Sequence, residues 1–145
     1  MTHKNLEVSM TELDNIIAKA YQNEGRKEDV NKVYLTFLQT LLYVPVKKDG
    51  APNTSDEPFI PLFTKIENNT YMLVFDSLDR LTHWAGDAMG EMNYVELSGH
   101  DIVFGINPEI YLCLNVGTEF YKEFSPDEVF HLKKIVAKIQ NLKNN

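Results

Sequence analysis

The chain has 145 residues, 43% hydrophobic and 24% charged, enough for one compact domain whose core needs neither metal nor disulfide. Fourteen Lys and Arg against twenty-one Asp and Glu leave a formal net charge of −7. That balance lacks the basic footprint of a nucleic-acid binder and weighs against an anionic membrane surface. It is compatible with a basic partner.

The single cysteine, Cys113, precludes an intrachain disulfide and fits a reducing compartment. No apolar run approaches the roughly 20 residues that span a bilayer. The first residues contain no apolar stretch of the secretory type. The cytoplasm is the expected location.

The elements follow in chain order. Ser9-Met10-Thr11-Glu12 reads as a capping box opening a first helix, with Leu13, Ile16, Ile17, Ala20 and Tyr21 on one face and Gly25 as its stop. A second helix is expected from near Glu28-Asp29, carrying Val30, Val33, Tyr34, Phe37, Leu38 and Leu41. Tyr43-Val44-Pro45-Val46 reads as a strand, and Pro45 puts it at an edge or an end. Residues 47–58 carry the Gly, Pro, Asn and Ser of a loop.

Phe59 to Thr64 and Thr70 to Phe75 read as a hairpin turned at Glu67-Asn68-Asn69, because Asn tolerates positive φ. Ser77 is placed to cap a third helix bearing Leu78, Leu81, Trp84 and Ala85, ended by Gly86 and Gly90. Tyr94 to Leu97 is a short strand, and Ser98 to Phe104 a short helix or turn. Ile110 to Val116 reads as a buried strand. Ser125-Pro126-Asp127-Glu128 forms a second capping box, with proline at the first helical position. Val129, Leu132, Val136 and Ile139 give the last helix its apolar face.

Chemistry-bearing patterns are sparse. Seven scattered glycines build no phosphate loop. The four histidines, His3, His83, His100 and His131, have no i, i+4 pairing, and one cysteine cannot make a ribbon-type zinc site. His100-Asp101 has the residue types of an oriented imidazole, but no serine or cysteine elbow accompanies it. Cys113, between Leu112 and Leu114, reads as a small core residue. Trp84 reads as partly buried packing near a helix end. Phe120, Tyr121 and Phe124 either line a groove or lock the last helix to the sheet.

The order of several segments carries a resemblance. Pro61-Leu62-Phe63-Thr64 is followed by Tyr71-Met72-Leu73-Val74-Phe75-Asp76-Ser77, then by Leu81 and Trp84. Leu114-Asn115-Val116-Gly117-Thr118 and Ser125-Pro126-Asp127-Glu128-Val129 complete the series. Over about residues 30–140 this resembles the SseB-type N-terminal domain family. Asp76 stands where that family often has Thr, and Val116 where it often has Pro, so the rigid Asn-Pro-Gly turn is absent. The resemblance implies a sheet with helices packed against it. The family is named for an enhanced serine-sensitivity phenotype and brings no catalytic residues.

The expected fold is therefore α+β: a single mixed or largely antiparallel sheet of about five strands with helices packed against it. An N-terminal helical extension (residues 1–26) joins the main domain (residues 27–145) in one unit. The expected function is a non-enzymatic protein-interaction or regulatory module with an unidentified protein partner, no cofactor, no metal, no nucleic acid and no membrane. Self-association is a further option. The alternative is a small-molecule or enzymatic pocket, and a third reading is a secretion-associated adaptor or exported protein. Candidate interaction or pocket residues are His83, Trp84, His100, Asn115 and Phe120.

Overall fold

The computed structural model describes residues 10–47 and 61–143. Two helices come first, α1 (Glu12–Gln22) and α2 (Lys27–Gln39), followed by strand β1 (Leu41–Lys47). The hairpin β2 (Phe63–Ile66) and β3 (Asn69–Val74) leads to α3 (Leu78–Ala85) and a 3-10 turn over Gly86–Glu91. Then come β4 (Met92–Ser98), α4 (Gly99–Gly105), β5 (Tyr111–Leu114), β6 (Lys122–Phe124) and the closing α5 (Pro126–Lys143). The fold is α+β.

The strands form two sheets where one was expected. β1 pairs antiparallel with β4, while β2-β3-β5-β6 form a mixed sheet in which only β3 and β5 run parallel. The reason lies at the end of β3. There Tyr43 and Phe75 exchange backbone hydrogen bonds of 2.7 and 3.0 Å, but the bridge does not extend into a ladder. Pro45, two residues along β1, has no N–H to continue one. A second bridge joins Val46 to Pro61, again at a proline.

Side-chain alternation along the central strands divides the interior in two. Met72 and Val74 of β3, with Leu112 and Leu114 of β5, face the main core. That core also holds Leu13 of α1, Phe37 of α2, Phe124 of β6 and Leu132 of α5. Leu73, Phe75 and Cys113 point the other way, under Leu81 of α3. Phe37, Phe75 and Phe124 are fully buried, and each contributes roughly 1.5–3 kcal/mol by leaving water.

Helix starts are set by side chains. α1 is capped by Thr11, whose hydroxyl accepts from the Asp14 amide while the Asp14 carboxylate accepts from the Thr11 amide. The box thus lies two residues beyond the expected Ser9-Glu12 pair, of which Ser9 falls outside the described residues. The other expected caps are formed by Ser77 and the Ser125–Glu128 box, and Ser98 caps α4 in the same way. In the β2–β3 turn the positive φ (57°) falls on Glu67 and not on an asparagine. The strand expected over Ile110 to Val116 is cut to Tyr111–Leu114, because Asn115 turns to φ 59°. The expected loop at residues 47–58 lies, from residue 48 on, outside the described residues.

Gly99 opens α4 against α2. A β-carbon there would sit 2.1 Å from the carbonyl oxygen of Phe37, so only glycine lets the two helices approach this closely.

Candidate functional site

β3 and β5 run parallel and end side by side, and the chain turns sharply after each. Asn115 is fully buried. Its amide donates to the Val74 carbonyl (2.8 Å), and its side-chain oxygen accepts from the Asp76 amide (3.2 Å). Asn115 thereby ties the end of β5 to the end of β3. The Thr118 hydroxyl donates to the Asn115 carbonyl (2.8 Å) and accepts from the Phe120 amide (3.0 Å), which fixes the loop that follows.

A charge cluster sits above these strand ends. The Arg80 guanidinium reaches across from α3 to the Asp14 carboxylate of α1. Nη1 donates to Asp14 Oδ1 (3.0 Å) and to Asp76 Oδ1 (2.8 Å), and Nη2 donates to Asp14 Oδ2. The side chains of both carboxylates are 1% exposed and that of Arg80 is 10% exposed. The Thr11 hydroxyl donates to Asp76 (2.7 Å), so the α1 cap belongs to the same network. Arg80 also lies 4.4 Å over the Phe120 ring. Burial alone would lower the Arg80 pKa. The hydrogen bonds Arg80 donates to Asp14 and the charges of Asp76 and Asp14 more than offset it, and the group stays charged above its ordinary range.

Trp84 leans over the same turn. Its ring is 5.5 Å from that of Phe75, and a β-carbon on Gly117 (φ 83°) would come within 3.2 Å of its Cδ1. An open cleft of about 350 Å³ adjoins the cluster, lined by Thr11, Glu12, Thr36, Gln39, Thr40 and Asp76. The side-chain Nδ2 of Asn115 is buried without a hydrogen-bond partner among the described residues.

Of the residues singled out in the sequence, the structure brings Trp84, Asn115 and Phe120 around this turn and cluster. His83 is exposed on α3. His100 stands apart from the cluster: its ring contacts Asp101 (3.4 Å) and Gln140 of α5 (3.3 Å), at the α4–α5 junction. Cys113 lies in the sheet, 3.6 Å from the Tyr121 hydroxyl, and burial pushes its thiol pKa up. That is the opposite of thiolate activation. Among the described residues no group of three His, Cys, Asp or Glu side chains is placed to hold a metal, and no helix is long and apolar enough to cross a membrane.

Sequence reasoning missed Arg80, Asp14 and Thr11, which form the centre of the cluster. Asp76 and Arg80 stand at i, i+4 across a Ser77 cap, a spacing that could have drawn notice. Nothing local links either to Asp14, more than sixty positions earlier.

The architecture defines a small α+β domain in which short motifs meet at the ends of two parallel strands. A family model described as the SseB protein N-terminal domain matches residues 13–131, and the chain belongs to that family. The match begins inside α1, earlier than the likeness from about residue 30 suggested, so it takes in Asp14 as well as Arg80. No curated protein and no solved structure matches the chain.

Proposed function

We propose that the chain is a non-enzymatic protein-interaction or regulatory module that works in the cytoplasm. One observation carries the reading. Arg80 of α3 holds Asp14 of α1 and Asp76, just past the end of β3, in one buried ion-pair network. Carboxylates whose lone pairs are taken by a guanidinium and a threonine are poor general bases. The cluster acts as a clamp that gives the outer surface a fixed shape, and a fixed surface lowers the ordering cost of binding a partner.

Affinity purification of the tagged chain from its native cell, washed at rising salt and read by mass spectrometry, tests this. A stoichiometric partner is expected. Absence of any partner at every salt concentration would refute it.

A second reading, a small-molecule site, draws on the cleft beside Asp76 and on the unpartnered side-chain Nδ2 of Asn115. A metabolite screen by thermal shift separates the two. A ligand at 100 times its Kd adds about 2.7 kcal/mol of apparent stability.

A further inference from the structure

The chain's charge is unevenly distributed. After Glu128 come Lys133, Lys134, Lys138 and Lys143 and no acidic side chain, on a chain with a net charge of −7. The apolar stripe of α5, Val129, Leu132 and Val136, is buried. Beside that stripe, at about 100° per residue, Lys133 and Gln140 lie on the flank that meets α4, and Phe130 and Lys134 follow further round on the exposed surface. Lys133 shows the contact directly: its Nζ donates to the Val103 carbonyl (2.7 Å) in the last turn of α4. There it satisfies a carbonyl that has no partner within the helix and lies at the negative end of the dipole. The next residue of α4, Phe104, is 66% exposed, and Phe130 is 55% exposed with the Lys134 ammonium 4.8 Å over its ring.

Single exposed apolar residues are ordinary on a protein surface. Here two phenylalanines flank two lysines on adjoining helices, and one lysine is pinned. Aromatic anchors beside fixed positive charge, on a chain whose net charge is −7, select a partner that brings apolar side chains and carboxylates together. We propose that this α4–α5 face docks an acidic amphipathic segment of a partner protein. The proposal rests on the interaction-module reading and gives it a surface.

The probe is a fluorescein-labelled peptide with Glu and Leu repeating at helical spacing, titrated with the full chain by fluorescence anisotropy. Saturable binding is expected, weakening as salt rises. Phe104→Ser, Phe130→Ser and Lys134→Glu should each reduce affinity about tenfold. These side chains are outside the core, so folding is retained. Leu142→Ser, on another exposed face of α5, should leave binding unchanged.

No binding by the unaltered chain, equal binding of a Lys-for-Glu peptide, or indifference to the three substitutions would overturn the proposal. So would binding to vesicles containing anionic lipid, or concentration-dependent self-association, lost in the same variants. A cellular partner retained by the Phe104→Ser/Phe130→Ser chain would refute this surface and leave the interaction reading standing. A chain with no cellular partner at all would remove both.

Discussion

Replacing Arg80 with Met removes the centre of the clamp while keeping the length and apolar stem of the side chain. It leaves the Asp14 and Asp76 carboxylates, each 1% exposed, without their cation in a medium that solvates charge poorly. Breaking a buried pair from one side costs about 3–5 kcal/mol. A domain is stable by only about 5–15 kcal/mol, so this is a large fraction. For a chain near 150 residues it amounts to a fall in Tm of roughly 6–20 °C, at about 2–4 °C per kcal/mol. Urea unfolding followed by the fluorescence of Trp84, the only tryptophan, reads the change next to the cluster. Asp14→Asn should also destabilise, and the double variant should lose much less than the sum of the two, because both act on one bond network. A loss under about 1 kcal/mol for Arg80→Met, or strict additivity in the double variant, would refute the clamp.

Three further outcomes are expected. Gly99→Ala drives a methyl group into the Phe37 carbonyl at 2.1 Å and should cost at least about 1–3 kcal/mol in the same urea assay, with no loss if the helices separate freely. Burial first, and then the charge and hydrogen bond of Glu128, raise the Tyr34 pKa to about 12 from 10.0. The folded state thus holds the phenolic proton that the unfolded state releases, so stability is complete below about pH 10 and falls as pH rises towards 12. Tyr34→Phe should flatten that fall, and an unchanged slope would contradict the assignment. Cys113 is buried with a raised pKa and should react with a thiol reagent in the native chain far more slowly than in urea. Equal rates would place it at the surface.

Much of the fold was legible because its determinants are local. Apolar residues at helical spacing fixed α2, α3 and α5, and the caps at Ser77 and Ser125 came from a residue type that bonds nearby backbone amides. Strand β6 (Lys122–Phe124) was not recognised. It has three residues, and its place follows from pairing with β5, which no local pattern encodes. The split into two sheets turns on where a ladder stops across the chain, at Tyr43 and Phe75. Its clue was Pro45, which sits inside β1 rather than at its end and makes β1 the edge strand that was one of the two expectations, but which does not by itself mark a sheet boundary.

The site was half legible. Trp84, Asn115 and Phe120 stood out as residue types, and the turn after β5 gathered them. His100 was grouped with them on chemistry alone, and the fold turns it towards α5. Asp14 and Arg80 were silent for a different reason. An ion pair between distant segments leaves no periodic trace, and each residue alone reads as an ordinary solvated helix charge.

The most direct measurement is gel filtration of a gently prepared native lysate, following the chain at its natural abundance across a range of salt. An interaction module is expected to elute in a larger complex that yields one defined partner. Elution at the position of a 145-residue monomer at every salt concentration, together with a thermal shift produced by a small molecule, would contradict the central claim.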